Sequence, residues 1–190
     1  MVTADGEQAR RELPRYFYRL PLHAQRTYLQ SEAIESYALN PSAPAMEMAS
    51  ALERALESRS LARVGDATRA LAQELCRQSR VATVPIEVRG VRPHNARGEL
   101  HGIYYESERR GVPGRIVLWM KTAKRHDVVK PRTFLRTLLH ELGHYFDYSL
   151  LGLHESFHTQ GFFKRESSLM KRLVGDADGR RSASDLAAMP

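Results

Sequence analysis

The residues best suited to chemistry in this chain sit together in His140-Glu141-Leu142-Gly143-His144. Two histidines four positions apart share one face of a helix, so both imidazoles can converge on a single metal ion. Glu141, one residue after His140, can reach a water on that ion without becoming a ligand, which is the place of a general base in zinc hydrolysis. Imidazole nitrogen suits Zn2+, and a catalytic zinc keeps three protein ligands so that its fourth position stays open. The spacing therefore points to His140 and His144 as metal ligands and to Glu141 as the catalytic residue.

Five residues compete to be the third ligand: His154, Glu155, His158, Glu166 and Asp147. Asp147 fails first, because a residue one turn beyond His144, about 4.5 Å along the axis, would have to reach backwards. Asp147 or Glu155 suits a different task, accepting the outer ring N–H of a ligating histidine and so fixing its tautomer. His158 is favoured: it follows a chain reversal at Gly152 and stands at the mouth of the next helix, from which it can return to the metal. Glu166 is the rival, since it shares a helix face with Phe162, Leu169 and Leu173, where an unpaired carboxylate would be costly to bury. Tyr104, Tyr105, His101 and Tyr145 are possible hydrogen-bond donors to a developing oxyanion, and packing is the commoner fate of such residues.

These groups need a scaffold, and the chain of 190 residues is long enough for one core. Apolar residues make up 42% and charged residues 27%, which excludes wholesale disorder. The single cysteine, Cys76, excludes an internal disulfide. No apolar run approaches the ~18 residues of a membrane span, and the first twenty residues lack the apolar stretch of a secretory signal, so the expected compartment is the cytoplasm and no membrane partner is expected. The net charge of +7 permits nucleic acid as a partner without identifying it. Lys121, Lys124, Arg125, Lys130, Arg132 and Arg136 form a basic run leading into the active helix, a solvated face or a phosphate-binding rim.

Periodicity supplies the elements. Residues 1–12 read as frayed, residues 13–39 as one or two helices, and NPSAPA (40–45) as a connector. Residues 46–80 read as two antiparallel helices with the break at Gly65. Val84, Ile86 and Val88 mark a strand, 100–105 a second and 116–120 a third. A helix begins at Pro131, buries Phe134, Leu135, Leu138, Leu139, Leu142 and Phe146, and stops near Leu151 before Gly152. A last helix runs from 159 or 160 to 173, and 175–190 reads as a disordered tail. The expected division is an N-terminal helical portion (1–80), a core (81–174) and that tail.

HELGH, followed by a second histidine with an aromatic four residues on (His158, Phe162) in a basic helix, resembles the SprT-like zinc metallopeptidases across about residues 85–174. The chain departs from that group in having Thr159 where glycine is usual, and in lacking zinc-ribbon cysteines. The resemblance implies an α+β, zincin-like fold, Zn2+ as cofactor, His158 as third ligand, and a protein or peptide substrate, with DNA-bound proteins as the group's targets; zincin architecture further implies that a strand such as 116–120 pairs with an extended peptide at the cleft rim. Were the chain instead like the glutamate-liganded zincins, Glu166 would take the third position. The contrasting function is a non-catalytic nucleic-acid- or protein-binding module with a structural metal; such sites usually close with cysteine, which this region lacks.

Overall fold

The computed structural model describes residues 13–95, 98–107, 109 and 112–175. The frayed start and all but the first residue of the expected tail therefore lie outside the described residues. A 3-10 turn at Phe17–Arg19 leads into α1 (Leu22–Ala33), α2 (Ala43–Glu57) and α3 (Leu61–Gln78). Strands β1 (Ile86–Val91), β2 (His94–Asn95), β3 (Gly98–Glu99), β4 (Gly102–Tyr105) and β5 (Arg115–Lys121) follow, and α4 (Pro131–Ser149) and α5 (Gln160–Val174) complete the order. The architecture is α+β with a small sheet, as expected.

Two helix boundaries differ from the sequence reading. NPSAPA is not merely a connector: Ser42 caps α2 by accepting from the Ala45 N–H (3.4 Å), and Pro44 sits in the first turn, where proline's missing donor costs nothing. The break between α2 and α3 falls at Ser58–Ser60, with Arg59 left-handed (φ 55°), and not at Gly65. Gly65 is buried inside α3, with the Arg69 guanidinium lying across it. Its helix penalty of about 1 kcal/mol is outweighed by a helix of 18 residues with Val64, Leu71, Leu75 and Cys76 fully buried.

The main sheet has the order β1-β5-β4, β1 parallel and β4 antiparallel to β5. The short β2–β3 hairpin is a separate pairing that alternation did not reveal. Because β5 is central, the expectation that 116–120 pairs with a peptide is corrected: both its sides are already used, the edge strands are β1 and β4, and β4 is the one that lines the histidine cleft. Ile116, Leu118 and Met120 join the core, while Val117 and Trp119 on the opposite face are buried as well, which explains an uninterrupted apolar run. One hydrophobic core draws on α2, α3, β1, β5, α4 and α5.

In the second half, α4 turns its stripe of Phe134, Leu138, Leu142 and Phe146 into this core. After Gly152 (φ 65°) the chain reverses, buries Leu153, and enters α5 under the cap of Thr159, whose hydroxyl accepts from the Phe162 N–H (3.0 Å). That hydroxyl also meets Ser31 Oγ of α1 at 3.1 Å. Thr159 thus both caps α5 and docks it on α1. Gly161 completes the junction, since a Cβ there would lie 2.2 Å from the Ser31 carbonyl oxygen and 2.6 Å from that of Glu32.

Gly161→Ala is expected to force α1 and α5 apart, at a cost of about 1–3 kcal/mol. Thermal denaturation should show the Tm falling by about 2–4 °C for each kcal/mol lost. An unchanged Tm would mean that the two helices are not held against each other there.

Candidate metal centre

The helical repeat of α4 sets His140 and His144 one above the other, and the entry to α5 brings His158 to the same point. The Nε2 atom of His158 lies 3.0 Å from that of His140 and 3.1 Å from that of His144. Phe162, fully buried, forms the floor: its ring centre is 5.0, 4.8 and 5.4 Å from those of His140, His144 and His158. Phe163 stacks on the outer side of His158.

The outward nitrogens decide what the inner ones offer. His140 Nδ1 donates to Glu166 Oε2 (2.9 Å). Ser156 Oγ gives its single proton to Asp147 Oδ2 (2.7 Å), so at its 2.8 Å contact with His144 Nδ1 it must accept. Both histidines therefore carry the proton on Nδ1 and present Nε2 lone pairs inward. Both lone pairs face His158 Nε2, and three imidazole nitrogens so placed suit a cation between them. Bond lengths of about 2.0–2.1 Å in tetrahedral geometry separate zinc-bound nitrogens by about 3.3 Å, close to what is observed. The cluster geometry is that of a single Zn2+ site, with His140, His144 and His158 as the residues able to hold the ion. Burial, then the neighbouring His140 and His158, push the His144 imidazole down to about 3, so it stays neutral, as a ligand must be.

Glu141 lies one step around the helix and is 6% exposed. Its burial pushes the carboxyl up to about 7, while His140 and a backbone hydrogen bond from Tyr104 act in the opposite sense. That bond comes from β4. Pairing of Gly102 with Leu118 and Tyr104 with Ile116, with the Trp119 N–H donating to the His101 carbonyl, leaves the backbone groups of Gly102 and Tyr104 on the free edge of the sheet. The edge can lie this close only because residue 102 is glycine: a Cβ would stand 2.8 Å from Glu141 Oε1 and 2.8 Å from Thr137 Cγ2.

The remaining candidates are placed elsewhere. His154 is exposed outside the cluster, and Glu155 faces His23 (3.6 Å) instead of a ligating imidazole. Glu166 supports His140 from behind, with Arg136 Nε 3.6 Å from its other oxygen. Asp147 is fully buried and reaches His144 through Ser156, a residue that the sequence reading did not single out. Its counter-ion, Arg165, donates to it at 3.0 and 3.2 Å and is likewise fully buried. Of the four possible oxyanion donors only Tyr104 lines the cleft. Tyr145 donates to the Ala82 carbonyl (2.6 Å), His101 faces Arg92, and Tyr105 is covered by Arg115. Tyr148, one turn after His144, lines the cleft and was missed, although the spacing of four residues was the available signal.

Ser156→Ala and Glu166→Gln are each expected to retain the fold and to weaken zinc binding by about 10–100-fold, measured by competition with a chelator. Asp147→Ala should lower affinity too, and in addition cost about 3–5 kcal/mol in chemical denaturation because it strands the Arg165 charge. Unaltered zinc affinity in Ser156→Ala would show that the hydroxyl does not hold the His144 ring.

Comparison of the chain with protein-family models, with curated proteins and with solved structures finds no match, so the functional reading rests on the geometry of the site itself.

Proposed function

We propose that the chain is a zinc-dependent metallopeptidase, with His140, His144 and His158 as metal ligands and Glu141 as general base. The observation that carries this reading is the convergence of three imidazole nitrogens beside a buried glutamate that is itself no member of the cluster. A structural site would close all four positions, whereas among the described residues three donors meet here, and the cleft also contains the carboxylate that hydrolysis needs.

Zinc bound at such a site would polarise a peptide carbonyl and make water nucleophilic at neutral pH. Glu141 takes the proton from the attacking water and returns it to the leaving amine, so one carboxylate serves both half-steps. The Tyr104 N–H fixes that carboxylate on the side of the cleft bounded by β4. Ser156 and Glu166 keep His140 and His144 in the tautomer that leaves Nε2 free. A peptide in extended form can add to the free edge of β4 at Gly102, whose backbone groups point away from β5.

Kinship with the SprT-like group is part of this proposal, supported by HELGH and by the place of His158 before a Phe162 that floors the site. A cytoplasmic setting belongs to the same reading. Among the described residues no helix is long and apolar enough to cross a membrane. Nucleic acid is proposed as an additional partner through the basic run, of which Lys124, Arg125, Lys130, Arg132 and Arg136 are exposed.

Glu141→Gln should keep stoichiometric zinc and the wild-type Tm while losing peptide hydrolysis; loss of the metal in that variant would refute the assignment. His140→Ala, His144→Ala and His158→Ala should each empty the site by metal analysis. For nucleic acid, the slope of log affinity against log salt should fall by about 0.9 for each duplex phosphate contact removed, so changing Lys121, Lys124 and Arg125 together to Glu should flatten it. No binding at low salt would reduce the basic run to a solvated face.

A further inference from the structure

A second cavity of about 420 Å³ opens beside the metal cleft, walled by the rings of Tyr104, Tyr145 and Tyr148 and by Val81 and Ala82. It shares a wall with the site, since Tyr104, Glu106 and Tyr148 line both spaces. Tyr104 joins them most directly: its N–H holds Glu141, and its ring is a wall of the cavity.

The three hydroxyls are already engaged. Tyr145 donates to the Ala82 carbonyl, Tyr104 accepts from the Gly114 N–H, and Tyr148 bonds Glu106 and the Ser156 N–H. The rings lie tilted about Tyr104, with centres 6.1 Å (Tyr145) and 6.0 Å (Tyr148) away. With the polar tips occupied, ring faces and aliphatic carbons remain for a ligand, the character of a site for an apolar body. Among the described residues, two exposed guanidiniums, Arg80 and Arg109, stand at the cavity against one exposed carboxylate, Glu106, which disfavours a Lys or Arg side chain. A carboxylate side chain would have to leave water for a wall of three aromatic rings.

We propose that this tyrosine-walled cavity receives a large apolar or aromatic side chain of the polypeptide substrate, on a residue next to the bond that is cleaved, and so sets cleavage preference. The inference rests on the peptidase reading, and binding separates the two. The probes are capped alanine pentapeptides with Phe, Leu, Ala, Glu or Lys at the centre, titrated by calorimetry into zinc-loaded Glu141→Gln and assayed for cleavage by the wild type. Ala82 and Val112 line the cavity, are exposed and do not line the metal cleft, so Ala82→Trp and Val112→Trp fill it from the rim; zinc content and Tm serve as controls.

The Phe and Leu peptides are expected to bind about 10-fold or more tightly than the Ala peptide. Either tryptophan variant should bring them to near parity while leaving the Ala peptide unaffected. Equal affinities, a preference for Glu or Lys, binding of no peptide, or a preference that survives both filled variants would each overturn the proposal. Cleavage by the wild type without preference refutes the cavity's role and leaves the peptidase standing. Preferential binding without any cleavage refutes the peptidase and leaves the cavity as an apolar side-chain site.

Discussion

The second half of this fold depends on a guanidinium buried without exposure to water. Arg165, on α5, donates to the carbonyls of Ser31 and Ile34 at the end of α1 (2.6 Å each), to Ser31 Oγ (3.0 Å) and to Asp147 of α4. The ends of helices leave carbonyls without partners, and a cation is the strongest donor for them. Tyr37 and Phe162 place their rings about the same group at 5.8 Å each. Desolvating an arginine is expensive, and the geometry offsets that cost only because nearly every donor and the opposing carboxylate are matched together. Three helices are therefore held by one charge, and none can shift without exposing or stranding it.

That constraint reaches the metal centre by a short chain of hydrogen bonds. Arg165 positions Asp147, Asp147 takes the proton of Ser156, and Ser156 in turn accepts from His144. A carboxylate bonded directly to His144 would draw on the imidazole proton more strongly than a hydroxyl does. The intervening serine transmits orientation with less charge. His140 has the opposite arrangement, with Glu166 bonded directly and Arg136 moderating it. The two ligands on α4 are thus fixed in one tautomer by supports of different strength, both drawn from outside the helix that carries them.

How much of this was legible depends on sequence distance. The pairing of His140 with His144, and the position of Glu141 beside them, follow from helical geometry within two turns, so spacing alone reveals them. Strands β1, β4 and β5 were legible because β-branched and aromatic residues cluster between turn residues, but which strand lies at the edge is a matter of topology and could not be read. Gly102 meets Glu141, and Arg165 meets Ser31 134 residues away, only once the chain is folded. Ser156 was invisible for another reason: a serine in a polar loop ordinarily faces water, and its value here comes entirely from Asp147 behind it. Gly65 misled because a glycine that serves packing inside a helix looks in sequence like one that ends it.

The position of Glu141 shows why these distant contacts are needed. Burial, against the opposing pull of His140 and the Tyr104 N–H, leaves its carboxyl raised to about 7, a state in which it is half protonated at neutral pH. A dication held by the three imidazoles would lower it further, in the same sense as the Tyr104 N–H, which bonds better to the ionised form. A general base works best when its proton affinity lies near the ambient pH, neither so low that it refuses the proton nor so high that it arrives with one. Removing water from Glu141 strengthens its basicity, and the sheet edge restrains it. The edge can do so only because Gly102 allows the strand and the helix to meet. The Glu141 carboxylate is set by a strand, a helix and a histidine cluster together, which is why a five-residue motif points to the chemistry while the surrounding fold is needed to shape the site.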